Sequence, residues 1–239
     1  MAGSGRHINI GTPVESWRGA QRPVLAAVDG RYCRLEPLRP AHADDLFEAY
    51  SADGEGLVWD YLPYGPFSSP GDFSAFLAES CLGEDPLFYA IIDLASGRPV
   101  GMASYLRIDP ANGVIEVGHI NFSPALQRRP AATEAMYLMM RQVFADWGYR
   151  RYEWKCNNLN ARSMAAAARL GFTFEGVFRQ AAVIKGHNRD TAWFSVLDSE
   201  WPACDAAFGA WLAPDNFDDD GNRLTGLAAL RDRLAVKRP

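Results

Sequence analysis

A chain of 239 residues, 48% of them hydrophobic, is long enough to bury one sizeable core. Its formal charge of −5 excludes general affinity for nucleic acid or an anionic membrane, because the summed field repels both. No apolar run approaches the roughly 20 residues that span a bilayer and the first residues lack the apolar segment of a signal peptide, so a cytoplasmic protein is expected.

Residues 1–24, polar and glycine-rich, read as an arm on the surface. Alternation over 32–38 (YCRLEPL) predicts a strand, and Pro40 opens a helix that turns Leu46, Phe47 and Tyr50 inward. LVWDYLPYGPFSSPGDF is broken by Pro63, Pro66 and Pro70 into a long aromatic loop. A helix is expected over 73–82, ended by Gly83. PLFYAIIDL, VGMASYLRI and VIEVGHINF are apolar strands joined by short turns, an antiparallel meander. After QRRP comes a helix with Ala132, Met136, Met139, Met140 and Val143 at helical spacing, closing on Gly148. A strand (YRRYEWKC), an alanine-rich helix (ARSMAAAARLG) and a hairpin turning near HNRD complete the order β-α-α-β-β-β-α-β-α-β-β. The expected division is the arm 1–24, a mixed α+β domain over 25–202 and a helical appendage over 203–239.

Cys33, Cys81, Cys156 and Cys204 form no CxxC pair, and His7, His42, His119 and His187 have no metal-ligand spacing. Neither a disulfide framework nor a metal is expected. Chemistry concentrates between Val114 and Phe172 instead. Arg128 and Arg129 precede Pro130 at a helix start, where Ala131 and Ala132 leave backbone donors clear of large side chains. Such donors beside cations favour phosphate, although an ordinary helix start with solvated arginines has the same sequence.

The order strand, loop, helix with Gln127-Arg128-Arg129-Pro130-Ala131-Ala132, followed by N-x-x-S and AARLGF, resembles the GNAT superfamily of acyl-CoA-dependent N-acyltransferases. Within it the RimJ/RimL type of ribosomal-protein N-acetyltransferase is most similar, over about residues 30–202. The resemblance implies a mostly antiparallel sheet split into a V, helices on both faces, and acetyl-CoA in the cleft as co-substrate without a metal. The family's loop reads Q/R-x-x-G-x-G/A; here Pro130 replaces the first glycine and supplies no N–H. Gln127, Arg128, Arg129 and the amides of Ala131 and Ala132 are then expected to hold the diphosphate.

By the same resemblance Asn160 reaches the pantetheine arm and Ser163 lies near the sulfur, where it returns a proton to the departing thiolate. Asn160 equally suits the N-cap of its helix. Many members use a tyrosine where this chain has Ala167, which leaves Ser163 or water. Glu116 matches the place of a catalytic glutamate and is the first choice as general base; its other reading is a cross-strand polar partner. His119 is the reserve, aimed at the opposite face unless a bulge intervenes. A backbone N–H near Asn121 or Phe122 is expected to polarise the thioester carbonyl.

Trp59, Asp60, Tyr61 and Tyr64 of the aromatic loop are expected to wall the acceptor cleft. Lys155, Arg179, Arg189 and Asp190 facing it would suit a carboxylate-bearing acceptor. The expected activity is direct acetyl transfer to a primary amine of a small molecule, an amino acid or peptide, or a protein N-terminus. The alternatives are a CoA-binding module without catalysis and a protein-interaction scaffold. The edge strands of the final hairpin and the terminal helix offer surfaces for a homodimer.

Overall fold

The computed structural model describes residues 11–235, and its elements follow the apolar pattern closely. Strands β1 (Val28–Asp29) and β2 (Cys33–Pro37) precede a 3-10 turn at Pro40–His42 and helix α1 (Ala43–Ser51). Helix α2 (Pro70–Ser80) begins earlier than expected, because the Ser69 hydroxyl accepts from the Asp72 amide at 3.1 Å and Pro70 fills the first helical position. Cys81 caps its end, not Gly83.

Strands β3 (Leu87–Asp93), β4 (Arg98–Asp109) and β5 (Val114–Phe122) form the meander. Helix α3 (Pro130–Arg141) then runs into a π turn at Gln142–Asp146, and Gly148 closes it at φ 70°. Next come β6 (Arg151–Asn157), α4 (Ala161–Leu170), β7 (Thr173–Ile184), β8 (His187–Leu197), α5 (Trp201–Leu212) and α6 (Leu227–Ala235). The last hairpin turns at Lys185-Gly186, immediately before HNRD. Both residues take positive φ, 48° and 77°, which suits a two-residue turn between twisted strands, so His187 already belongs to β8.

All eight strands form one sheet in the order β1-β2-β3-β4-β5-β6-β8-β7. β5 and β6 pair in parallel, but only from Val114↔Arg151 to Val117↔Trp154. Beyond that point they part, and residues 118–122 and 155–157 line the two arms of a V. The parting has a local companion in β5. Between the pairs Ser104↔Gly118 and Met102↔Asn121, β5 carries one residue more than β4, a bulge at His119, whose φ is 50°.

Helices α1 and α2 cover one face of the sheet over Leu46, Tyr50, Trp59, Phe73 and Leu77. The other face packs against α3, α4, α5 and α6. Cys204, Phe208, Trp211 and Leu227 share that core with Met136 and Met139, so the boundary expected at 202 does not divide the packing. Glu134 of α3, 4% exposed, accepts the Arg31, Tyr32 and Cys33 amides at 2.7, 2.6 and 2.8 Å and clamps the β1–β2 turn to the helix.

The described part of the arm is pinned to the sheet. Trp17 Nε1 donates to the Ala111 carbonyl at 2.7 Å, and the Gln21 amide donates to the Trp147 carbonyl at 2.9 Å. Residues 1–10 of the expected arm lie outside the described residues. Among the described residues no helix is long and apolar enough to cross a membrane, and all four cysteines are buried and free.

Candidate functional site

The loop over 123–129 is shaped by its own backbone. The Ser123 carbonyl accepts the amides of Leu126 and Gln127, and Arg128 takes φ 63°. Gln127 Nε2 donates to the Phe122 carbonyl at 2.8 Å, so this side chain braces the loop. The Ala132 amide donates to the Arg129 carbonyl at 3.1 Å. That corrects the expectation for Ala132, whose donor is engaged inside the first turn of α3. The amides of Arg128 and Ala131 have no acceptor among the described residues. The Arg128 and Arg129 side chains stand exposed with no carboxylate paired to them among the described residues. Free amides and two cations at a helix N-terminus form an anion cradle.

At the vertex of the V, Glu116 is 4% exposed and its Oε2 lies 2.7 Å from both Arg107 Nη1 and Lys155 Nζ. Arg107 stands on β4 and Lys155 on β6, so one carboxylate ties the two arms together. Lys155 Nζ also meets Glu153 Oε2 at 2.8 Å and lies 3.7 Å from the centre of the Trp193 ring. Glu153 in turn accepts Arg151 Nε at 2.7 Å. Arg107 was not singled out from sequence; the bulge between Leu106 and Asp109 that aims it has no clear sequence signal.

Ile115 and Val117 face the α3 side, so Glu116 faces the α1 side. The bulge brings His119 to that same face, correcting the strict alternation of the sequence. Tyr64 Oη lies 3.1 Å from His119 Nδ1, the two rings stack at 10° with centres 5.6 Å apart, and Phe88 closes the other side at 5.2 Å. Burial first, then Arg107 and Arg189, lower the imidazole from 6.5 to about 4, so it is neutral at neutral pH. Burial pushes the Tyr64 phenol far up, and it keeps its proton.

The Ser123 amide donates to the Val100 carbonyl at 3.1 Å. By strand alternation the Asn121 amide also turns toward β4, and Phe122 between them presents its amide to the open arm. Asn121 is 1% exposed, and its carbonyl receives the Tyr50 hydroxyl at 3.0 Å. Of the two expected donors, Phe122 faces the cleft and Asn121 does not.

On the other arm, Asn160 caps α4, its Oδ1 accepting the Ser163 amide at 3.0 Å. Ser163 Oγ accepts Trp154 Nε1 at 3.0 Å, which leaves its own proton to donate. Burial pushes the Cys156 thiol up, with Ser163 partly opposing, so Cys156 is no ready nucleophile. Ala167 is fully buried, and its place in the core has no room for a tyrosine.

The aromatic loop spans the mouth of the V. The Tyr61 hydroxyl donates to the Leu159 carbonyl at 3.3 Å, and Lys185 Nζ donates to the Trp59 carbonyl at 2.9 Å. Trp59 is 5% exposed among Tyr50, Tyr64, Phe67 and Phe73, so its ring supports the wall and does not face a ligand. Asp60 is exposed and Tyr61 is 43% exposed beside it, while Tyr64 is held over His119. Asp190 Oδ1 is engaged by the Gln180 amide and Asn188 Nδ2, and Arg179 stands exposed with it around a hollow outside the V. Arg189 alternates with Asp190 and so shares its face with Thr191 and Trp193, the residue paired with Lys155.

Known proteins share this architecture. Residues 33–173 match the family model described as an acetyltransferase (GNAT) domain. The crystal structure of a GCN5-related N-acetyltransferase from Brucella melitensis is 50% identical, with a TM-score of 0.90 over 92% of this chain and 100% of that one. A Chromobacterium violaceum structure assigned to the GNAT family is 42% identical, with a TM-score of 0.75 over 83% of this chain and 100% of that one. The ribosomal-protein-serine acetyltransferase of Escherichia coli (strain K12) is a more distant relative, 26% identical over 102 residues, which is 42% of this chain and 56% of that protein's length. With more than half of the sequence inside the family match and a closely similar fold over nearly all of it, this chain belongs to the GNAT acetyltransferase family.

Proposed function

We propose that the protein transfers an acetyl group from acetyl-CoA directly to a primary amine of a small molecule, an amino acid or peptide, or a protein N-terminus. The observation that carries this reading is the parting of β5 from β6 after Val117 and Trp154, with an anion cradle at one end and proton-handling groups at the other. The residues fit the co-substrate. Pro130 removes one donor, but the amides of Arg128 and Ala131 remain free and Arg128 and Arg129 stand uncompensated beside them. Acetyl-CoA supplies the activated acyl group when bound.

The Phe122 amide polarises the thioester carbonyl, and the open arms hold the two reactants in line. His119 takes the proton of the acceptor nitrogen. This reverses the order expected from sequence, because Glu116 Oε2 is already committed to Arg107 and Lys155 whereas the imidazole is neutral and carries no ion pair. A weak base suffices, since the nitrogen becomes strongly acidic as its bond to carbon forms. Ser163, whose oxygen accepts from Trp154 and whose hydroxyl also bonds Cys156, passes a proton to the departing thiolate and takes one back from solvent.

Calorimetry with CoA, followed by thiol release from acetyl-CoA over an amine library, tests the reading. Binding with turnover of at least one amine is expected. Binding without turnover would make the protein a CoA-binding module, and failure to bind CoA would overturn the reading altogether.

A further inference from the structure

The charges on the acceptor face of the sheet do not cancel. Arg107 and Lys155 meet Glu116, and Lys155 and Arg151 meet Glu153. Arg189 is left over. It is half-buried, its Nε is sealed from solvent without a hydrogen-bond partner, and no carboxylate pairs it among the described residues. Its electrostatic neighbours are Cys156, Glu116 and Arg107, and it acts on His119 together with Arg107. Strand alternation puts Arg189 on the face of β8 that carries Thr191 and Trp193, and Trp193 packs on Lys155, so Arg189 stands on the sheet face of Glu116. Burial lowers its pKa, as expected for a cation held out of water without a counter-ion.

A half-buried cation without a partner is costly unless something fills the place. A plain alkylammonium ion would not, because it would meet Arg189 and Arg107 as like charges. An amine carrying its own anion would: the anion meets the planar fork of the guanidinium, and the nearby positive charges favour the unprotonated nitrogen that attacks. We infer that Arg189 binds an anionic group, carboxylate or phosphate, that the acceptor carries close to its reacting amine. This rests on the acetyl-transfer reading and narrows its acceptor class. Arg189 is thereby a specificity-determining residue, distinct from the diphosphate cradle at Arg128 and Arg129.

The test uses matched acceptors with the full-length protein and acetyl-CoA: phenylalanine against phenethylamine, methionine against 3-(methylthio)propylamine, and O-phosphoethanolamine against ethanolamine. Higher kcat/KM for the anionic member is expected, the carboxylate and phosphate pairs telling which anion is preferred. Arg189→Gln should lower kcat/KM for that member by about 10- to 100-fold, mainly through KM, as loss of a charge-assisted hydrogen bond predicts. The loss on its neutral counterpart should be several-fold smaller, and Arg189→Lys should restore part of the loss on the anionic member. CoA affinity measured by calorimetry should be unchanged in both variants, which separates this effect from misfolding. Equal kcat/KM within every pair, or an equal loss on both members in Arg189→Gln, would overturn the inference while leaving acetyl transfer standing. No thiol release with any amine would instead sink the reading on which it rests.

Discussion

Glu116 and His119 lie on the same face of β5, although plain alternation across three residues places them on opposite faces. The extra residue between Gly118 and Asn121 produces this, with His119 held at φ 50°. A non-glycine residue in that region is strained and persists where its surroundings fix it, here Tyr64 and Phe88. The bulge sets a neutral imidazole beside the parting strands. His119→Gln should lower kcat by about 10²-fold or more and leave CoA affinity intact. The acid limb of the wild-type kcat/KM profile should fall near 4 rather than 6.5, following the lowered imidazole. A His119→Gln profile that keeps the same limb and rate would remove the histidine from the reaction.

The same imidazole makes stability depend on pH. Its folded value is depressed, from 6.5 to about 4, so the unfolded chain binds the proton more tightly between those values. The contribution to stability is therefore complete above about pH 6.5 and is lost as pH falls toward 4. Burial also lowers His42, so the wild type has more than one such group. Urea unfolding at pH 7 and pH 5 should show wild type losing more stability than His119→Phe over that interval. An equal loss in the two proteins would mean that His119 titrates normally.

Most of the fold was legible because its signals are local. Alternation marked the meander, Pro40 and Pro130 marked helix starts, and Gly148 marked a helix end in positive φ, 70°. The prolines break the aromatic loop as expected, it packs against Leu159 and His119, and Asn160 takes the cap position its sequence allows. What was not legible depends on register or on distant partners. The bulge at His119 leaves no compositional trace, and it decides which face the residue serves. Glu134 reads as one more acidic residue on a helix until β2 is folded against it and three amides converge on its carboxylate. Arg107 and Arg189 have no visible connection in sequence, yet in the fold they act on each other and both act on His119.

Glu116 ties the arms of the V, which predicts a different phenotype from a base. Glu116→Gln removes the charge facing Arg107 and Lys155 while keeping the side chain's shape. Arg107 is 63% exposed and can turn to solvent, but Lys155, 8% exposed, cannot. A loss of about 2 kcal/mol in denaturant unfolding is expected from the weakened charge-assisted bonds. Activity should fall while the acid limb of the pH–rate profile remains in place. Disappearance of that limb in Glu116→Gln, with stability unchanged, would return the base role to the glutamate.

Pro130 is where the anion cradle, proposed to hold the diphosphate, departs from a glycine-bearing loop, and Pro130→Gly would restore the missing N–H donor at the start of α3. The proline also restricts the unfolded chain, so the variant should be less stable by about 0.5–1 kcal/mol. A hydrogen bond to a charged oxygen contributes about 1.5–3 kcal/mol, which predicts CoA binding tighter by about 10- to 100-fold. In contrast, replacing Arg128 and Arg129 together by alanine should weaken CoA and flatten the salt dependence of binding, because two exposed cations are lost. Calorimetry at low and high salt separates these effects: the glycine variant should gain affinity at both, the alanine pair should lose mainly at low salt. CoA affinity unmoved by either change would mean that the diphosphate does not sit at the first turn of α3.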